Sequence, residues 1–186
     1  LSSFNSPEEL NFPLEFEMEP PKRIVMVEGD EYTVTSIGDH AFRGCSSLAS
    51  IEIPSSVTSI GNSTFRDCSS LTIVTFEEGS QLTSIELYAF SGCTSLKSIE
   101  LPSSVISIEW SAFDGCSLLE IVIFEEGSQL TSIESDTFNG CSSLASIEIP
   151  SNVTSIGERA FEGCSSLASI EIPGGVTSIG YRAFYD

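Results

Sequence analysis

A phenylalanine recurs along this chain at intervals of 23 or 25 residues, and in six of seven copies a cysteine follows it three residues later. A fixed period over most of a 186-residue chain predicts repeats that stack on one another as a solenoid. One repeat cannot bury its apolar face alone, so its stability must come from its neighbours. The repeated phenylalanines are Phe42, Phe65, Phe90, Phe113, Phe138, Phe161 and Phe184.

Each repeat has two parts with different patterns. The first part alternates apolar and polar residues, as in Leu96-x-x-Ile99-x-Leu101, which is typical of a half-buried strand. The second part, Gly-x-x-Ala-Phe-x-Gly-Cys, is too short for a full helix and predicts one helical or 3₁₀ turn. The sequence therefore predicts an α/β repeat solenoid with parallel strands on one face and short helical or 3₁₀ turns on the other.

The chain divides into two regions. Residues 1–34 form a predicted N-terminal arm or cap, and residues 35–186 form a solenoid of about seven turns, the last of them truncated. Strict alternation in residues 8–19 predicts a strand or extended arm that caps the stack, and Ile24–Val27 resembles the strand of a degenerate first turn. The last turn, at Asp186, has no such cap, so its edge is expected to continue into the parent protein or to pair with another molecule, including end to end with a second copy.

The full repeat pattern, L-x-x-I-x-[IL]-P-x-x-V-T-S-I-G-x-x-A-F-x-G-C-x-S, resembles the BspA-like (Treponema pallidum-type) leucine-rich-repeat family. Residues 35–186 carry it almost without interruption. The resemblance implies a leucine-rich-repeat stack in a bacterial or protist protein, found at the cell surface or secreted, that adheres to host or partner proteins. The family offers no catalytic residues to carry over.

The charge of the chain excludes several classes of partner. The net charge is −20, from 27 acidic and 7 basic residues, and such a surface repels nucleic acids and anionic membranes. No apolar run approaches the ~20 residues needed to span a bilayer. The first residue is Leu1 and not methionine, so we expect that an upstream segment has been removed. A signal peptide is one candidate for part of that segment.

Residues that could carry chemistry are few. The six cysteines share one repeat position, so they are expected to form a ladder of buried free thiols and not disulfides or a zinc site. A hydrolase would have to use the single histidine, His40, with Asp39 and Cys45, and these positions do not favour it. Glu148 and Glu171, one turn apart, are the best-placed carboxylates for a weak cation site. We predict no enzyme, no cofactor and no metal.

Outward positions of the predicted strands are the first candidates for binding a partner. Most hold serine or glutamate, but the two 25-residue repeats place isoleucine there. Exposed β-branched residues also occur simply as good strand formers, so both interpretations stay open. The candidates on this side are Ile73, Ile121, Ile123, Glu100 and Glu148.

A second candidate surface lies in the turn segments on the opposite side. Leu87, Tyr88 and Trp110 occupy positions where most other repeats have polar residues. Exposed Trp and Tyr side chains are typical anchors of protein interfaces. The alternative is that Trp110 folds over the side of the solenoid as a lid on its edge.

We interpret the chain as a surface or secreted protein that mediates protein–protein binding or adhesion to a host or cell, without catalysis. Its partner would be a protein, with host extracellular-matrix or surface proteins as candidates, and its acidic field would favour a basic one. One alternative is a structural spacer within a longer repeat array, with no binding site of its own. A hydrolase is the other alternative.

Overall fold

The computed structural model describes residues 24–27 and 30–186. The repeats form a parallel β-solenoid of about six turns, in which each turn contributes strand segments that pair with the same segments of the next turn. The strands, in chain order, are β1 (Ile24–Val27), β2 (Asp30–Thr33), β3 (Ser36–Ile37), β4 (Ser50–Ile53), β5 (Ser59–Ile60), β6 (Ile73–Phe76), β7 (Ser84–Ile85), β8 (Ser98–Leu101), β9 (Ser107–Ile108), β10 (Ile121–Phe124), β11 (Ser132–Ile133), β12 (Ser146–Ile147), β13 (Ser155–Ile156) and β14 (Ser178–Ile179).

Two parallel ladders run along the solenoid. The first is built from β4, β6, β8, β10 and β12, and its outward side is called here the sheet face. The second stacks the Ser-Ile pairs in two sections, from β3 to β9 and from β11 to β14. The first ladder is interrupted, because β4 pairs with β6 and β8 pairs with β10, whereas no ladder bonds join β6 to β8 among the described residues. β1 and β2 lie outside both ladders and pair with each other in an antiparallel hairpin.

The core consists of columns of equivalent side chains, as the repeat predicts. Leucine, isoleucine, valine and phenylalanine of successive turns are buried, and the six phenylalanines from Phe42 to Phe161 are at most 2% exposed. Their rings stack on one another with centroids 5.1–5.5 Å apart. Offset stacking of this kind adds to the burial of apolar area, so the column stabilises each interface between turns.

The prediction of helical or 3₁₀ turns on the second face is wrong, because the described residues contain no helix. In the central turn, the amides of Ala112 and Asp114 donate to the carbonyls three residues earlier, as a 3₁₀ helix requires. The amide that follows each of these donates instead to the next turn: the Phe113 amide to the Thr137 carbonyl at 2.9 Å, and the Gly115 amide to the Asn139 carbonyl at 2.8 Å. Only alternate amides thus close a local turn, and the rest hold the stack together.

This alternation of hydrogen bonds requires two residues with a left-handed backbone conformation, that is, with positive φ, in every complete turn segment. One lies just before the cysteine and is glycine in five turns and Asp67 in the sixth, with φ of 61°. The other lies two residues before the phenylalanine and is never glycine. The glycine position at the start of the segment, occupied by Gly61 and Gly157 but by Glu109 in the central turn, does not have positive φ, as its variability predicts. The non-glycine residues with positive φ are His40, Ser63, Asp67, Tyr88, Ser111, Asp136, Arg159 and Arg182.

The cysteines form the predicted ladder inside the solenoid. Five are buried, and Cys45 at the first turn is partly buried. Each buried thiol donates to the carbonyl oxygen of the phenylalanine one turn before, for example Cys116 Sγ to Phe90 O at 3.2 Å. Burial raises the pKa of the thiols, to about 12 for Cys68 and Cys164 and well above the ordinary value for Cys116. These thiols are therefore held as neutral groups that fill space in the core.

The predicted N-terminal arm at residues 8–19 lies outside the described residues. Ile24–Val27 is a strand, but it pairs antiparallel with Asp30–Thr33 and not in parallel with a following repeat. The parallel stack begins at Ser36, which pairs with Ser59 in the next turn. The division of the chain near residue 34 stays a prediction.

Deleting residues 71–118 should give a shorter protein that still folds. The deletion removes one long and one short repeat and joins Ser70 to Leu119, which holds the place of Leu71 in an equivalent repeat. Because turns contact only their neighbours, we expect the same circular dichroism per residue with a lower melting temperature. Deleting residues 71–106, which ends within a repeat, should prevent cooperative unfolding. Equal loss of structure in both deletions would contradict this nearest-neighbour description.

Candidate functional site

The sheet face carries two exposed isoleucines side by side on one strand, β10. Ile121 and Ile123 of β10 are 42% and 46% exposed, while Val122 between them is buried. Residues two apart on a strand point to the same side, so both isoleucines face outward together. Neither isoleucine belongs to the buried core, to which β10 contributes Val122.

Two glutamates flank this isoleucine pair. Glu100 of β8 lies directly beside Ile123 in the strand register. On the other side Ile121 pairs with Ser146 and Val122 with Ile147, which places Glu148 next to Ile123 by continuation of the same register. Both glutamates are exposed. The structure thus brings together four of the five candidates of the sheet face.

The fifth candidate, Ile73, lies two strands away on β6 and is 54% exposed. It borders an open hollow of about 280 Å³ where the ladder is interrupted between β6 and β8. Glu100 also lines this hollow, together with Thr75, Ser98 and Glu125. Glu100 therefore connects the hollow to the isoleucine pair on β10.

The sequence analysis missed several exposed apolar residues, among them Leu118 and Ile106 within the stack and Ile179, Tyr181 and Tyr185 in the last turn. Leu118 is 46% exposed and precedes Ile121 by three residues in the same turn. Ile106 is 54% exposed and interrupts a column of threonines, such as Thr83, whose hydroxyl donates to Thr58 O at 3.0 Å. Both stand where other repeats have serine or threonine, and that departure was the signal that could have found them.

The turn-segment candidates also lie together. Leu87 and Trp110 occupy equivalent positions in adjacent turns, and the Tyr88 amide donates to the Trp110 carbonyl at 3.2 Å. Trp110 is 56% exposed, and its indole Nε1 donates to Glu134 Oε2 at 3.1 Å. The guanidinium of Arg66 lies 5.0 Å from the centre of the Tyr88 ring. This group, the aromatic patch, is Leu87, Tyr88 and Trp110.

A column of carboxylates runs beside the aromatic patch. Glu86, Glu109 and Glu134 occupy the same position in three successive turns. Partial burial raises the pKa of Glu109, and the negative charges of Glu86 and Glu134 raise it further. The pKa of Asp114 is raised by burial and by Asp136. Acidic charge is therefore dense on this side as well.

Most of the positive charge in the described residues lies in the turn segments; the exception is Lys97, an exposed residue just before β8. The four arginines of the described residues lie in turn segments, and three of them form ion pairs there with Asp67, Glu158 or Glu162 at 3.3–3.7 Å. On the sheet face, no ion pair joins Glu52, Glu100 or Glu148 to a basic side chain in the described part of the chain. The sheet face thus combines unneutralised carboxylates with exposed isoleucines.

The residues considered for catalysis do not form a catalytic arrangement. Both side-chain oxygens of Asp39 accept from Asn62, and His40 is exposed with a left-handed backbone. In residues 30–186, no hydrogen bond joins the side chain of His40 to Asp39 or Cys45. Within the described ranges there is also no group of three potential metal ligands, and no helix is long and apolar enough to cross a bilayer.

The family model of the BspA-type leucine-rich-repeat region matches the chain in six copies, over residues 28–130 and 70–186. A leucine-rich cell surface protein from Faecalibacterium prausnitzii is similar in structure, with 33% identity, a TM-score of 0.71, and coverage of 89% of this chain and 44% of that protein. The pneumococcal vaccine antigen PcpA has 28% identity and a TM-score of 0.71, with coverage of 90% and 43%. A leucine-rich-repeat protein of T. pallidum has 28% identity and a TM-score of 0.56, with coverage of 77% and 75%.

The chain spans less than half the length of the Faecalibacterium and pneumococcal proteins that it matches. None of the curated proteins matches it. The similarity covers the stacked repeats, which are the part of the chain that the fold depends on.

Proposed function

The chain belongs to the BspA-type leucine-rich-repeat family, and from that premise we propose that it acts at the cell surface or after secretion by binding a protein partner, without catalysis. The observation that carries the proposal is the exposure of Ile121 and Ile123 on the sheet face. Large apolar side chains that lie outside the core and are exposed within a polar surround are typical of protein interfaces. A leucine-rich cell surface protein among the similar structures supports the location.

Surface plasmon resonance with extracellular-matrix and serum proteins, at two salt concentrations, tests this proposal. Saturable binding that weakens with salt is the expected result, because the chain carries a net charge of −20. Absence of saturable binding across the panel would contradict the proposal and favour the alternative, a structural spacer in a longer repeat array.

Replacing Ile121 and Ile123 together with lysine should abolish binding of the partner found in this way. The change removes apolar contact area and places two charges at the proposed interface, while the melting temperature should change little because both side chains are exposed. The matched control is Ser69→Lys with Thr94→Lys, which adds the same charge at exposed positions elsewhere. Unchanged affinity in the isoleucine variant would exclude the sheet face and direct attention to the aromatic patch.

A further inference from the structure

We propose that the sheet face binds an extended basic segment of a protein, which crosses β8, β10 and β12. An apolar side chain of the segment would contact Ile121 and Ile123, and two Lys or Arg side chains would pair with Glu100 and Glu148, one with each. This inference rests on the proposed function and specifies the chemistry of its partner. It follows from the register of the three strands, from the separation of charges in the solenoid, and from the hollow beside Glu100.

The register sets the spacing that a bound segment must match. Neighbouring strands lie ~4.8 Å apart, so Glu100 and Glu148, on either side of Ile123, are separated by ~10 Å. An extended segment places residues i and i+4 on the same side at ~13 Å. Long Lys and Arg side chains absorb the ~3 Å difference, because their stems are flexible and their charged ends can reach back. The matching pattern is therefore basic-x-apolar-x-basic.

The charge distribution selects the sign of the partner. Glu100 and Glu148 form no ion pair within the described residues, and the arginines lie in the turn segments on the other side, so that Lys97, just before β8, is the one basic side chain close to this ladder. A cationic segment would neutralise carboxylates that repel one another in the free protein. A second copy of the chain is a poor occupant, because two such acidic faces would repel. Phosphate-bearing ligands are disfavoured for the same reason.

The hollow between β6 and β8 extends the surface in the direction of the segment. Glu100 and Glu125 line it together with Ile73 and Ser98. A Lys or Arg side chain paired with Glu100 can enter this hollow and lay its apolar stem along Ile73. The interruption of the ladder thus provides depth at one end of an otherwise flat surface.

The test is fluorescence anisotropy with the full chain and a labelled peptide of repeating Lys-Ser-Leu-Ser, about twelve residues long, which crosses the face at ~3.3 Å per residue. Two further peptides carry Glu in place of Lys, or Ser in place of Leu. The Lys-Ser-Leu-Ser peptide should bind, and both replacement peptides should bind at least about tenfold more weakly, since each loses one of the two interactions.

Matched variants locate the binding. Glu100→Gln with Glu148→Gln should weaken binding of the peptide about tenfold, whereas Glu78→Gln with Glu126→Gln, which removes the same charge from exposed loops, should change it less than about twofold. Equal effects of the two pairs would show that the overall field attracts the peptide, and would overturn the inference. No binding of the peptide would overturn it too. The proposed function would survive either result if a protein partner still required Ile121 and Ile123.

Discussion

Replacing Phe113 with alanine should lower the free energy of unfolding by about 3–5 kcal/mol. Phe113 is completely buried, and its ring stacks between Phe90 at 5.3 Å and Phe138 at 5.5 Å. Alanine would leave a cavity that neither neighbour can fill, because both rings are held by the next turns of the column. Urea denaturation followed by circular dichroism measures the loss.

The matched control is Phe184→Ala at the end of the same column. Its ring is 39% exposed and stacks on Phe161 alone, at 5.3 Å. We expect a loss of about 1 kcal/mol there, since less area leaves the core and water can fill the gap. Equal losses at Phe113 and Phe184 would mean that stacking along the column does not determine the stability of the solenoid.

The cysteine ladder should make the protein lose stability steeply above about pH 9. The ordinary pKa of a thiol is 9.0, and burial raises the pKa of the five buried thiols in the folded state, to about 12 for Cys68. Below pH 9 both states keep their protons, so the thiols cause no difference. Above it the unfolded chain loses protons that the folded chain retains, and the free energy of unfolding falls.

The slope rises with the ionised fraction of the unfolded thiols and approaches about 1.4 kcal/mol per thiol for each pH unit near pH 10, or about 7 kcal/mol for five thiols. Urea denaturation of the reduced protein at pH 8, 9 and 10 measures it. In Cys116→Ala with Cys141→Ala, two of the five buried thiols are removed and the slope should fall by about two fifths. An identical slope in this variant would show that other groups cause the alkaline loss of stability.

The period of the chain was enough to predict the parallel stack and its buried columns. Phe-x-x-Cys recurs in register, and a column of equal side chains is the only arrangement in which every repeat buries the same face. The exposure of Ile121 and Ile123 also follows from the sequence, because strand residues alternate between inside and outside. Their role in binding, and that of the aromatic patch, stays a prediction.

The turn segments could not be predicted correctly from local sequence. A helical turn and the observed conformation share the bonds from Ala112 and Asp114 to carbonyls three residues earlier. They differ at Phe113 and Gly115, whose amides donate to the next turn, and that choice depends on the stack and not on the segment itself. Ser111 has a left-handed backbone with φ of 57°, but it is not a glycine, so its residue type does not indicate this conformation.

The hollow on the sheet face could not be predicted from the sequence either. It arises because β6 and β8 are not joined by ladder bonds, although their sequences fit the same repeat as β8 and β10. The side-chain contacts around the aromatic patch, Trp110 with Glu134 and Arg66 with Tyr88, join residues in adjacent turns. Such contacts depend on rotamers that a repeat pattern leaves undetermined.

The direction of the hydrogen bonds between turns also determines how the protein responds to tension. Bonds such as that from Phe113 N to Thr137 O run along the axis of the solenoid, so a pull on its two ends places all interfaces in series under the same force, and the turns separate one interface at a time, the weakest first. A released turn of 23–25 residues lengthens the chain by up to ~80 Å, at ~3.4 Å per residue, against the ~4.8 Å that it occupied in the stack. The force at which the molecule yields is thus set by a single interface, while the distance over which it can absorb work grows with the number of turns.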